Sequence, residues 1–402
     1  MEDSRQEIKA LTGLRAVAAF WVLSFHLSKD LKAALPEGTV LINLVSGIGY
    51  LGVDLFFILS GFIISYNYAQ QFDAQRSGAL GFGRFDAARY LRFLWARLAR
   101  IYPVHLFTLL VLAAFIALAP AGVEVAVSPP DRYAPERWIE SALMLHGWAF
   151  PIGRSWNVPS WSISAEWLAY LAFPLAALAA AAIRKIWAAQ LAIVVLIGLL
   201  ALSLAMTDYP ETMAYGLPRI AVEFPLGCLL YRLYRQRAAS GALLGVVAPA
   251  LLTCVALLVL APGFSRAGAV SLFVLMPSAL AALIYLLASD RGSAFARWLA
   301  RPAMRYWGRV SYSLYMVHFV VIIMVHRYLP TAELAQLPLE LRLAAVAGMT
   351  ATILLAAMAT YHFVEEPSRR WMRRLWPPTA DQQRSGPRRE STATAQSEIS
   401  VR

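Results

Sequence analysis

Ten apolar runs, each close to the ~20 residues that a helix needs to cross a bilayer core, leave this chain little choice of fold. They cover residues 8–28, 46–69, 101–120, 159–183, 188–206, 214–231, 245–262, 268–288, 306–326 and 341–364. Runs of this length satisfy their own backbone in hydrocarbon only as helices. The expected fold class is therefore all-α, a polytopic transmembrane helix bundle of about ten spans. Composition agrees: 59% of the 402 residues are hydrophobic and only 15% charged, where soluble domains average about 25% charged. The two cysteines, Cys228 and Cys254, lie in apolar runs without a CxxC pattern and read as core residues. Arg15 interrupts the first run, so a cleavable signal peptide is not expected. No internal repeat is evident.

The net charge is +12, and its distribution gives it a meaning. With a cytoplasmic N-terminus, 25 Lys and Arg fall on the inner segments and 8 on the outer ones. That asymmetry predicts an N-in, C-in topology. The basic balance then describes orientation, and a membrane-lipid environment without a nucleic-acid partner. Residues 1–375 read as one membrane domain. Residues 376–402, polar and poor in apolar groups, read as a disordered cytoplasmic tail. The basic, aromatic segment Gly78–Arg100 is predicted to lie along the inner surface. Residues 121–158 form the longest outer loop, with a short helix near 136–146, and read as a cap over an outer opening.

Charged and polar groups inside the runs are costly, so they mark candidate sites. Arg15 and His26 share the first run. Eleven residues separate them, about 1100° of rotation, which leaves them roughly 20° from a common face and about 16 Å apart along the axis. The alternative is a snorkelling Arg and an unrelated interfacial His. Asp54 lies in the outer half of the second run. Ser162 and Glu166, four residues apart and so on one helix face, lie in the outer half of the fourth. His26, Asp54 and Glu166 are thus placed at one depth, where a carboxylate would orient an imidazole as a general base. A buried polar cluster that only joins helices is the competing reading.

Other groups complete the inventory. Arg219 and Glu223 are four apart and are expected to pair structurally. His318 lies mid-membrane, with Tyr315 one turn before it. His326 sits at an outer end, His105 and His362 at inner ends, and His146 in the outer loop as a surface residue. Arg97 and Arg100, with Arg15 near in depth, make an anion-binding mouth, since guanidinium forks suit phosphate. Glu365 and Glu366 sit at the inner surface, where they balance local Arg charge. No cluster has the spacing of metal ligands, so no metal is expected.

Six segments in this order resemble the acyltransferase-3 family of bacterial integral-membrane O-acyltransferases. They are Arg15-x10-His26, "GVDLFFILSGFIIS" (52–65), Arg97-x-x-Arg100 before "IYP", "SWSISAEW" (160–167), "SYSLYMVH" (311–318) and "EEPSRR" (365–370). The match runs from about residue 7 to 371. The resemblance implies a location in the bacterial inner membrane, a cytoplasmic acyl-CoA donor, by default acetyl-CoA, and a hydroxyl acceptor. A sugar of a surface polysaccharide or lipopolysaccharide is the favoured acceptor and a macrolide-type product the runner-up. It also implies a catalytic His26 and important arginines. Some relatives carry a fused esterase-like domain, for which this chain is expected to be too short. On this reading Arg15, Arg97 and Arg100 hold the donor phosphates. His26, oriented by Asp54 or Glu166, deprotonates the acceptor. Ser162, Tyr315 or His318 bonds the oxyanion. A transporter or flippase, and a non-catalytic scaffold, are the readings from other classes.

Overall fold

A computed structural model describes residues 7–69, 86–118, 130–148, 155–205, 216–236, 266–290 and 292–376. Their regular structure is all helical, with no strand among them. In chain order the helices are α1 (Lys9–Ala34), α2 (Thr39–Ser46), α3 (Leu51–Tyr68), α4 (Ala87–Ala117) and α5 (Pro135–Ala142). Then come α6 (Trp161–Ala182), α7 (Ile186–Ala205), α8 (Gly216–Arg235), α9 (Arg266–Ser289) and α10 (Ala294–Leu299). The chain continues through α11 (Pro302–Tyr328), α12 (Thr331–Leu334), α13 (Leu339–Thr360) and α14 (Glu366–Leu375). Among the described residues, six stretches are long and apolar enough to cross a membrane: Lys9–Ala34, Pro36–Tyr68, Ala87–Ala117, Val158–Ala182, Pro302–Tyr328 and Leu339–Leu375. The expected run 245–262 and the tail beyond residue 376 lie outside the described residues. Helix α8 carries four charged residues, Arg219, Glu223, Arg232 and Arg235, and the first two are buried.

Helix α1 is the central post. One side packs Leu11, Leu14 and Ala18 against Leu55, Ile58 and Phe62 of α3. The other packs Ala19, Leu23 and Leu27 against Val310, Leu314 and Val317 of α11. Membrane helices approach closely where small residues line the contact, and two such contacts set the geometry here. A Cβ on Gly308 would stand 1.9 Å from the Thr12 carbonyl oxygen, so α11 lies directly on α1. Gly61 and Gly227 do the same for α3 and α8, with Cβ positions 2.0 Å from the Phe224 oxygen and 2.1 Å from the Ile58 oxygen. On the outside, Leu191, Val194, Val195 and Leu199 of α7 and Leu341, Leu343 and Leu355 of α13 are exposed. In water such a surface would be an aggregation liability, whereas lipid is its natural solvent.

Two expectations change. The basic segment before residue 101 is no separate surface helix where it is described: from Ala87 it is continuous with the following span, 31 residues in all, with Pro103 inside. At 1.5 Å per residue the helix is about 46 Å long, so its basic end projects beyond a ~30 Å core. Asp86 caps it, accepting from the Arg89 amide at 2.9 Å. The segment expected as an outer loop includes a short helix, α5, and the turn after it packs against Ser164 of α6. Met144 takes a positive φ of 55°, and its carbonyl accepts from Ser164 Oγ at 2.5 Å. That turn carries His146 from the expected surface into a buried position.

Candidate active site

The polar side chains of the bundle sort into groups along α1. At the Arg15 level, the Arg15 Nε–H points at the Gly308 carbonyl (3.4 Å), and the guanidinium lies 5.8 Å from the Phe56 ring centre. Arg15 makes no ion pair among the described residues, though the charges of Arg100, Glu166 and Glu365 all act on it. Arg100 is ion-paired with Glu365 and lies over the Tyr312 ring. Glu365 also accepts from Ser313 Oγ at 2.6 Å. Glu365 ends a π-helical turn, Tyr361–Glu365, between α13 and α14. Such turns recur at functional positions because they re-aim side chains; here one buries a carboxylate against Arg100. Arg97 donates to Tyr68 Oη at 3.1 Å and lies over the same ring. Glu166 accepts from Ser60 Oγ at 2.5 Å, and Tyr170 Oη is 3.4 Å from the same Oγ.

Three turns further along α1 the chemistry changes. His26 and His318 face each other, with ring centres 4.8 Å apart and planes 61° apart. His26 Nδ1 is 3.0 Å from the Val22 carbonyl oxygen and 3.3 Å from His318 Nε2. His318 Nδ1 is 3.2 Å from the Leu314 carbonyl oxygen. The His26 Nε2 edge has no protein partner among the described residues, and the ring is half-buried. Phe25 and Phe319 stand edge-on to it. Beside the pair, Ser162 Oγ and Tyr315 Oη lie 2.7 Å apart, and both reach the Pro159 carbonyl, at 3.1 and 2.9 Å. Each hydroxyl has a single hydrogen, so both are used within this cluster.

The carboxylate expected beside His26 is elsewhere. Asp54 makes a two-pronged bond to Arg219, Nε–H to Oδ1 at 3.0 Å and Nη2–H to Oδ2 at 2.5 Å, with both side chains buried. Trp161 packs on that guanidinium. The expected Arg219–Glu223 bond is thus replaced by Arg219–Asp54, with Glu223 acting on the same cation through space. Glu166 is held by Ser60, one turn-and-a-half beyond Asp54 on α3. Sequence depth placed these groups at similar levels; the close α3–α8 contact at Gly61 and Gly227 turns Asp54 toward Arg219.

The remaining histidines divide. His105 and His146 stack, with centres 5.9 Å and planes 3° apart. His105 Nε2 is bonded to the Ser141 carbonyl (2.7 Å) and His146 Nε2 to Ser160 Oγ (2.9 Å). His105 is therefore in mid-helix under the cap instead of at an inner end. Burial and the neighbouring His105 imidazole push His146 down to about 3. His326 pairs with Asp30 at 2.9 Å, and Thr331 Oγ1 donates to the same oxygen at 2.6 Å. His362 is 3.2 Å from Tyr306 Oη. Sequence reasoning assigned no role to Ser60, Tyr170, Ser313 or Gly308. The only local signal for the first was its place inside "GVDLFFILSGFIIS".

Comparison with known proteins answers the question of class. The family model described as an acyltransferase domain, of the acyltransferase-3 family, matches residues 8–361. Acyltransferase MdmB of Streptomyces mycarofaciens is 28% identical over 347 residues, 80% of each chain. The putative peptidoglycan O-acetyltransferase YrhL of Bacillus subtilis (strain 168) is 24% identical over 388 residues, 90% of this chain and 55% of that one. Protein 2 in the picA locus of Rhizobium radiobacter is 31% identical over 123 residues, 30% of this chain and 53% of its own. The chain thus spans about half the length of the latter two. No solved structure matches. The family decides for an enzyme over the transporter and scaffold readings: this chain belongs to the acyltransferase-3 family and is a multi-pass membrane acyltransferase.

Proposed function

We propose that this enzyme moves an acyl group, by default acetyl, from cytoplasmic acyl-CoA to a hydroxyl of an extracytoplasmic glycan. The glycan is a sugar of an exopolysaccharide or lipopolysaccharide, reached from the outer face of the bacterial inner membrane. The observation that carries the reading is the order of groups along α1: Arg15 near Arg100, Glu166 and Glu365, and His26 eleven residues on, beside His318. Loop charge supports ten spans with both termini inside. The Arg15 end then faces the cytoplasm, where the donor is made, and the His26 end faces outward. A relative named as a peptidoglycan O-acetyltransferase supports both acetyl and a glycan.

In this reading Arg15, Arg97 and Arg100 attract the donor phosphates. The thioester reaches His26 through the bundle. His26 Nε2 takes the proton of the acceptor hydroxyl as its oxygen attacks the thioester carbonyl. The new C–O bond forms, the C–S bond breaks, and the proton passes from His26 to the departing CoA sulfur. Asp54 has a structural role beside Arg219. Ser162 and Tyr315 shape the wall next to the pair, and a donor for the oxyanion would come only after one of their mutual hydrogen bonds opens. The test is mass spectrometry of surface glycans from cells lacking the gene, complemented with wild type or His26→Ala. An O-acetyl group that vanishes, returns with wild type and stays absent with well-expressed His26→Ala is the expected result. Glycans unchanged by loss of the gene would overturn the glycan assignment.

A further inference from the structure

We infer that His318 is the positioning residue of His26, a neutral imidazole standing where a carboxylate orients the base in most histidine-based sites. The inference rests on His26 acting as the base and adds what fixes its tautomer. A carbonyl oxygen only accepts. His318 Nδ1, 3.2 Å from the Leu314 carbonyl one turn back on its own helix, therefore carries a hydrogen. In the neutral ring its Nε2 is then a lone pair. That lone pair faces His26 Nδ1 at 3.3 Å, and the Val22 carbonyl faces the same Nδ1 at 3.0 Å. Both neighbours are acceptors, so His26 Nδ1 is the N–H and His26 Nε2 is left unprotonated. A chain of two backbone carbonyls and one imidazole thus prepares the open nitrogen as the base.

The same contacts explain why no carboxylate serves. Asp54 is held by Arg219 and Glu166 by Ser60. Asp30, one turn outward on α1, is held by His326 and Thr331. The Arg132 guanidinium lies 5.5 Å from the Phe319 ring centre and donates to the Trp156 carbonyl at 3.0 Å. When His26 accepts a proton, its cation is shared through Nδ1–H with the His318 lone pair and the Val22 oxygen. No buried anion has to be maintained beside the hydroxyl acceptor between turnovers.

The experiment uses the full-length protein in detergent, with acetyl-CoA and the CoA thiol released in the presence of a surface-glycan extract. It compares wild type, His26→Ala, His318→Leu and His318→Gln. Removing the acceptor in His318→Leu is expected to cut turnover about 100-fold, within the usual range for general base catalysis, with little change in KM. His318→Gln, whose amide oxygen can accept from Nδ1–H, is expected to recover at least about tenfold of that loss. Nitrogen-15 NMR of labelled histidine should show His26 as the Nδ1–H tautomer in all three proteins, because the Val22 carbonyl still accepts in His318→Leu. The Nδ1 shift should be displaced in His318→Leu, where one of its two acceptors is gone, and restored in His318→Gln. His318→Leu with wild-type turnover, pH profile and His26 Nδ1 shift would overturn the inference, while an inactive His26→Ala left His26 standing as the base. A fully active His26→Ala would instead remove the base assignment itself.

Discussion

Two pairs of imidazoles meet in this bundle, and they are built in opposite ways. His26 and His318 meet edge to edge, their planes 61° apart, and one ring nitrogen of His26 stays open. His105 and His146 lie flat against each other, 3° apart, and each spends its Nε2 on a serine. Both pairs bring two titratable rings within 6 Å. The Nδ1 atoms of His105 and His146 are buried without a hydrogen-bond partner, so an unpaired nitrogen is common to both pairs; only in the first does it belong to a half-buried ring flanked by Phe25 and Phe319. Proximity of histidines therefore says little about chemistry; what matters is whether the unpaired nitrogen can be reached. The stacked pair instead joins α4 to the cap, through Ser141 of α5 and Ser160 at the start of α6.

The sharpest way to break this contrast is to swap the loss. His26→Ala is expected to lower turnover at least about 100-fold while the protein keeps its thermal stability. Loss of stability with it would make the open pair structural too. The contrast extends to the carboxylates. Arg219→Leu strands Asp54 in the core and should cost about 3–5 kcal/mol of stability, read as a drop in the denaturation midpoint. A stable Arg219→Leu protein that lost only turnover would return Asp54 to the reacting groups. His146→Leu removes the bond to Ser160 and should cost about 1–3 kcal/mol, with turnover within a few-fold of wild type at permissive temperature.

The same histidine carries a pH effect. His146 stays neutral in the fold down to about 3, whereas an unfolded histidine gains its proton near 6.5. Below that point the unfolded state binds more protons than the folded one. Stability is therefore fully present above pH ~6.5 and falls as pH drops toward 3, by at most about 1.4 kcal/mol per pH unit. Thermal melts across that range should show the slope, and His146→Leu should flatten it. At the Arg15 end, replacing Arg97 and Arg100 together by Ala is expected to raise the KM for acetyl-CoA more than that for acceptor. Equal changes in both would make these arginines elements of folding.

Much of this was legible in the sequence, and the limit has a physical cause. Apolar runs are local, so nine of the ten expected spans fall on helices among the described residues. The Arg15–His26 separation is also local, a matter of 1.5 Å per residue on one helix. Depth can be read in this way, but the direction a side chain takes around its helix axis depends on which neighbour lies closest. Gly308, Gly61 and Gly227 decide that, by letting α11 onto α1 and α8 onto α3. For that reason Asp54 was expected beside His26 and is found against Arg219. His146 escaped for a different reason: its burial depends on one turn at Met144 packing against Ser164 of α6. Glu365 was read as balancing arginine charge, and the structure gives it Arg100; the π-helical turn that aims it leaves no trace in hydropathy.

The most direct measurement follows label from [acetyl-14C]acetyl-CoA into the endogenous acceptors of isolated membranes. It uses His26→Gln and His146→Gln proteins at matched abundance. If the open pair holds the base and the stacked pair holds the cap, His26→Gln membranes take up no label above background and His146→Gln membranes take up label near the wild-type level. Label retained with His26→Gln, or lost only with His146→Gln, would contradict the assignment of chemistry to the His26–His318 end of the bundle.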